Sequence, residues 1–150
     1  MSLKSQIEAL ASTLYPDYTF IFASRLNADA TVHDISEDDT PIIKLDNRIP
    51  KDKRINLNSN ITSTNNIELY ALRRRNDDDS DETINGYIEE MELVCDRFAI
   101  NIQALDNVLL SENEELQYRT QPIFMHYISG LCGSKLIMRA KEQQVISCTP

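Results

Sequence analysis

Tryptophan is absent, glycine occurs 3 times and proline 5 times in 150 residues. That shortage leaves no glycine-rich phosphate or dinucleotide loop and excludes a low-complexity chain. Histidine occurs twice and cysteine 3 times, with no Cys-x-x-Cys pair. An odd, unpatterned cysteine count fits a reducing compartment rather than a disulfide scaffold. Positive charge is short too: 15 Lys and Arg face 24 Asp and Glu, for a formal net charge of −9. Such a balance argues against general nucleic-acid binding, which needs a surplus of cations to neutralise phosphates. The opening Met1-Ser2-Leu3-Lys4-Ser5-Gln6 lacks the basic and apolar regions of a signal peptide. No apolar run approaches a membrane span. Without a secretion route, the Asn60-Ile61-Thr62 sequon is a chance match.

What is present is an ordinary globular composition, 41% hydrophobic and 26% charged. The length predicts a single domain over residues 1–140, followed by a flexible tail over 141–150. Leu3, Ile7, Leu10, Ala11 and Leu14 repeat at helical spacing, and Pro16 ends the pattern. Strands are expected at Tyr18–Phe22, Thr31–Ile35, Ile42–Leu45 and Ile67–Leu72. Between the last two, residues 46–66 read as a long polar insertion loop, basic at first and then asparagine-rich, with room for a short edge strand at Ile55 and Leu57. Connections of that length are usually functional or mobile.

The dominant pattern lies downstream. Apolar residues at 84, 87, 88, 91, 94, 95, 98, 102 and 105 make one continuous helical stripe. Asp79 is the expected cap, with Glu82 completing a capping box. Cys95 lies on the stripe, where a small buried thiol is the ordinary outcome. Beyond it, Leu116–Tyr118 suggests a strand that Pro122 breaks. Ile123–Ile128 and Leu136–Ala140 then form a hairpin around the turn Ser129–Gly133.

No constellation carries catalysis. The alternate Asp77, Asp79 and Asp81 would need glycine at 82 and glutamate at 88 for a calcium loop, but the chain has Glu82 and Ile88. His126 and Cys132 would form an isolated thiol–imidazole pair with no oxyanion loop, so a strand histidine beside a structural thiol is the better reading. Catalytic, cofactor and metal residues are therefore expected to be none. The one charge cluster of interest is Arg73-Arg74-Arg75, facing Asp77 and Asp78. It either compensates charge locally or sends an arginine to a neighbouring subunit. Lys51, Lys53 and Arg54 are further candidates for such an interface.

The order of elements is a short helix, a β-meander with an insertion, then the strand and corner Leu69-Tyr70-Ala71-Leu72-Arg73-Arg74-Arg75-Asn76-Asp77. A long helix follows, and a hairpin with Tyr127-Ile128-Ser129-Gly130-Leu131 closes the chain. Over residues 3–140 this order resembles the tail-terminator and head–tail joining (neck) proteins of tailed bacteriophages. The resemblance implies an α+β fold: a mainly antiparallel, mixed sheet covered on one side by the N-terminal helix and the long helix. It also implies a non-enzymatic virion protein made in the host cytoplasm, forming a homo-hexameric ring against tail-tube and neck or connector proteins. DNA would pass through the lumen without specific binding, and an acidic lumen would repel it. The alternative is an intracellular acidic inhibitor that mimics DNA charge.

Overall fold

The computed structural model of the protein describes residues 2–23, 40–46, 51–55, 57, 60–105, 108–109, 118–126 and 130–145. Helix α1, Leu3–Leu14, starts where Ser2 accepts a hydrogen bond from the Ser5 amide, and it buries Leu3, Ile7 and Ala11. Helix α2, Asp81–Gln103, buries Ile84, Ile88, Met91, Val94, Cys95, Phe98, Ala99 and Ile102, the stripe its spacing predicts. Its cap differs from expectation. Ser80, not Asp79, accepts from the Thr83 amide, while the Asp79 carboxylate turns back to accept from the Asn76 amide at 2.8 Å. Both are good capping types; the tight corner commits Asp79 to the turn and leaves Ser80 for the helix.

Among the described residues seven strands form one sheet in the order β1-β2-β4-β7-β5, with β3 also on β4 and β6 also on β7. They are β1 Thr19–Ala23, β2 Ile42–Asp46, β3 Lys51–Ile55, β4 Asn60–Arg74, β5 Val108–Leu109, β6 Tyr118–His126 and β7 Leu131–Val145. Among the described strands only β1 and β2 pair in parallel, so the fold is α+β with a mixed, mainly antiparallel sheet. The strand expected at Thr31–Ile35 lies outside the described residues.

The sheet is organised by one long ribbon. β4 and β7 are 15 residues each, paired without interruption from Asn60↔Val145 to Arg74↔Leu131; at about 3.4 Å per residue such a ribbon runs roughly 50 Å. This overturns two expectations. The stretch 46–66 is not a long insertion loop: β3 pairs with β4 from Lys51↔Asn65 to Ile55↔Ile61, and β4 begins at Asn60. Residues 141–145 are not tail but the last part of β7. In both cases polar residues with weak strand propensity are held by a continuous ladder, which outweighs composition. Pro122 does not break β6 either, because among the described residues that strand pairs only with β7 and needs no second set of donors.

Alternation along β4 and β7 assigns the two faces. Ile67, Leu69, Ala71, Leu136, Met138 and Ala140 meet α1 and α2 in the main core. On the opposite face Ile21, Ile42, Leu72 and Leu131 form a second cluster. Gly130 takes a positive φ of 67° in the turn before β7. Gly133 lies within β7, where a Cβ would run into the Ala71 carbonyl. The far half of the ribbon, residues 60–66 of β4 with β3 and 139–145 of β7, adds only Ala140 to the main core among the described residues and otherwise forms a polar wing.

Candidate assembly surface

Three successive arginines leave the end of β4 and go three ways. Arg73 donates to the Glu90 carboxylate at 2.6 Å and sits over the Tyr87 ring, 3.8 Å from its centroid. Arg75 donates from its side chain to the Phe124 carbonyl at 2.7 Å, and from its backbone to the Gly130 carbonyl at 2.8 Å. Arg74 is exposed, as are Asp77 and Asp78 in the following turn. Arg73 and Arg75 thus tie β4 to α2 and to the end of β6, in keeping with local compensation. Of the three, Arg74 is the one presented outward.

Beneath this corner, Cys132 is buried with Ile84 and Ile88, and Tyr87 packs against the group. Burial pushes its thiol up, with Arg75 and Arg73 opposing. A protonated thiol in an aliphatic pocket is a poor nucleophile. The His126 backbone pairs with Leu131; its side chain lies outside what is described. Among the described residues, no group of three or more His, Cys, Asp or Glu is placed to hold a metal. None of the helices described is long and apolar enough to cross a membrane. A groove lined by Gln6, Ala9, Leu10, Thr13 and Leu105 holds about 190 Å³, below the range usual for small-molecule sites.

Charge is segregated instead. The outer ridge of α2 carries exposed Glu82, Glu89, Glu90 and Glu92. Further along, Asp96 accepts from the Tyr118 hydroxyl at 2.9 Å, and Glu92 from Thr120 at 3.0 Å, so the ridge is braced against β6. Across the sheet, on the face without helices, the register aligns Arg54 of β3, Arg119 of β6, and Arg139 and Lys141 of β7, all exposed, with exposed Asp52 of β3 as a carboxylate among them. Nearer the core on that face, Tyr70 stands directly between Lys44 and Lys135. Their ammonium groups lie 4.6 and 5.2 Å from the ring centroid, and Lys135 also pairs with Glu68 at 3.2 Å. Desolvation works against the Lys135 charge, but its bonds to Tyr70 and Glu68 outweigh that and hold its proton above the ordinary lysine range.

Of the predicted interface residues, Lys53 and Arg54 are exposed on β3, and Lys51 begins that strand opposite Asn65. They belong to the wing, at the opposite end of β4 from the arginine corner, so the eight candidates form two surfaces rather than one. Sequence reasoning missed Arg139 and Lys141. The signal was present, since Lys135, Arg139 and Lys141 occupy odd positions of β7 at strand period. Exposed large apolar side chains also lie at or near these surfaces: Leu57 (106% exposed) just past β3, and Leu93 (64%) and Ile100 (63%) on the ridge, while Ile55 (74%) projects from the face of β3 opposite Arg54. No protein-family model and no curated protein matches the chain.

Proposed function

We propose that this protein is a non-enzymatic structural subunit of a tailed-phage particle, closing a ring with copies of itself at the tail end or the head–tail joint. The observation that carries this reading is the order of elements, which resembles that of tail-terminator and neck proteins. The short helix, mixed sheet, arginine corner, long covering helix and closing hairpin follow one another in that sequence. Two features of the surface agree with it. Cations predominate on one face and carboxylates on the outer ridge of α2 in a net-acidic chain, a distribution suited to joining copies in one orientation. The exposed edge at β3 carries Lys53 and Arg54, charges that discourage indiscriminate strand pairing and leave association to side-chain surfaces. In this reading the partners are other copies, as a homo-hexamer, together with tail-tube and neck proteins, and DNA passes the lumen without specific contact.

The test is solution mass by multi-angle light scattering, alone and with purified tail tubes, plus mass spectrometry of purified particles. A discrete ring mass and presence in particles are expected. Absence from particles, with no association with itself or with tubes, sinks the reading. The carboxylate row on α2 favours one competitor, an acidic inhibitor that mimics DNA. That competitor predicts stoichiometric capture of a DNA-binding protein, relieved by competing duplex DNA. Exposed Leu93 and Ile100 interrupt the row, which suits a packed protein contact better than a phosphate mimic.

A further inference from the structure

Resting on the ring reading and deepening it, we infer that adjacent copies join head to tail, with the basic, apolar-tipped wing of one copy laid across the acidic outer ridge of α2 on the next. The ridge presents Glu82 and Glu89 beside Leu93 and Ile100, all exposed. Their spacing, at 82, 89, 93 and 100, keeps them on one side of the helix, opposite the buried stripe. The wing presents Arg54 and, on the adjoining part of β7, Arg139 on the face without helices, with Leu57 exposed just past β3; Lys53 and Ile55 project from the other face of β3. Exposed Asp52 shares the Arg54 face and exposed Arg97 lies between Leu93 and Ile100, so each surface is mixed, with cations in excess on the wing and carboxylates in excess on the ridge.

This composition selects the pairing. Wing against wing would set cations together, and ridge against ridge would set carboxylates together; both are disfavoured, while wing against ridge satisfies charge and buries apolar surface from both sides. The two surfaces share no residue, so the contact is heterologous and each copy keeps one free surface of each kind after a single junction forms. Such a contact propagates until it closes, and closure gives a ring. A chain with net charge −9 repels its copies at long range, so a localised basic patch is the feature that overcomes this repulsion and sets orientation.

The experiment uses full-length chains. The wing variant is Arg54→Glu with Arg139→Glu, and the ridge variant is Glu82→Lys with Glu89→Lys; circular dichroism and melting check each fold. Wild type should associate, with the association weakening as salt rises. Each variant alone should need at least tenfold higher concentration to associate. A 1:1 mixture should recover association, because the reversed wing of one variant meets the reversed ridge of the other while the intact wing and intact ridge pair as in wild type. If both variants assemble like wild type, this junction is overturned while the ring reading stands. A mixture that behaves like its separate components also overturns the junction. If wild type stays monomeric with and without tail tubes, both readings fall. Wild type that binds duplex DNA through the wing, with no self-association, replaces the second copy with nucleic acid and overturns the inference.

Disulfide trapping covers the case of a variant that fails to fold. Leu57→Cys and Leu93→Cys chains should cross-link when mixed, and neither should cross-link with itself. Self-cross-linking of Leu57→Cys alone overturns the head-to-tail arrangement.

Discussion

The Arg73 guanidinium donates to the Glu90 carboxylate at 2.6 Å and so fastens the end of β4 to the middle of α2. With Tyr87 on its other side, Arg73 serves the fold of one subunit. Replacing it by alanine should cost about 1 kcal/mol, combining a solvent-screened ion pair with a cation–π contact. The same change at exposed Arg74 should fall within about 0.5 kcal/mol. Denaturant melts give both values, and a double-mutant cycle with Glu90→Ala isolates the pair. Equal costs at 73 and 74 would contradict the division of roles. Reversing all three arginines would disturb the fold along with any junction, so Arg74→Glu alone is the clean probe of assembly at this corner.

Cys95 is fully buried on α2, and its thiol lies 3.7 Å from the Ser134 carbonyl. Desolvation, only partly offset by the hydrogen bond to Ser134, pushes its pKa up to about 12. A raised thiol pKa means the native state keeps a proton that the unfolded chain releases. The contribution to stability is therefore complete below the unfolded thiol value, near 9, and declines as pH rises from there toward about 12. Wild-type stability should fall more steeply than that of Cys95→Ala across that window, by up to about 1.4 kcal/mol per pH unit. Parallel curves would show that the thiol is not buried in its neutral form. At pH 8 iodoacetamide should label Cys95 slowly in the native protein and rapidly once it unfolds.

The helices were legible because burial against a sheet enforces a period the sequence displays: Ile84, Ile88, Met91, Cys95, Phe98 and Ile102 are all buried. The same period left Leu93 and Ile100 outside, where helix reading alone attaches no meaning to them. The wing was not legible. Asn60, Asn65 and Asn66 are poor strand formers, and Ser63 and Asn65 occupy buried positions where hydrophobic patterning looks for aliphatics. Strand reading that followed apolar residues stopped β7 at Ala140 and so passed over Lys141. The parallel pairing of β1 with β2 depends on non-local topology and leaves no local mark. Arg73, Arg74 and Arg75 were found as a cluster, but their separate destinations depend on Glu90 and Phe124, which are distant in sequence.

Phe98 anchors the layer between helices and sheet. It is fully buried, and its ring stacks on Tyr15 with centroids 5.9 Å apart, while Tyr15 stacks on Tyr18 at 4.7 Å. Phe98→Ala should cost roughly 3–5 kcal/mol through lost burial and a residual cavity. Leu93→Ala on the exposed ridge should change stability by no more than about 0.5 kcal/mol. Urea titration of the two variants side by side decides it. A loss at Phe98 as small as that at Leu93 would mean α2 does not pack on the sheet by this face.

Asn65 presents the opposite case, a buried side chain whose removal should help. It is fully buried in β4, and among the described residues neither its amide nitrogen nor its carbonyl oxygen has a hydrogen-bond partner. Neighbouring Ser63 is also buried with its hydroxyl unpartnered. An unmet amide forfeits its hydration without compensation, and replacing it by an apolar group of similar shape removes that cost. Asn65→Leu should therefore raise stability by about 1 kcal/mol, whereas most core substitutions lower it. The outcome is read as a higher denaturant midpoint at unchanged slope, which shows that the wing is still folded in the variant. A fall of the midpoint would mean that the Asn65 amide is satisfied in solution, and hydrogen exchange across β4 would then locate the partner.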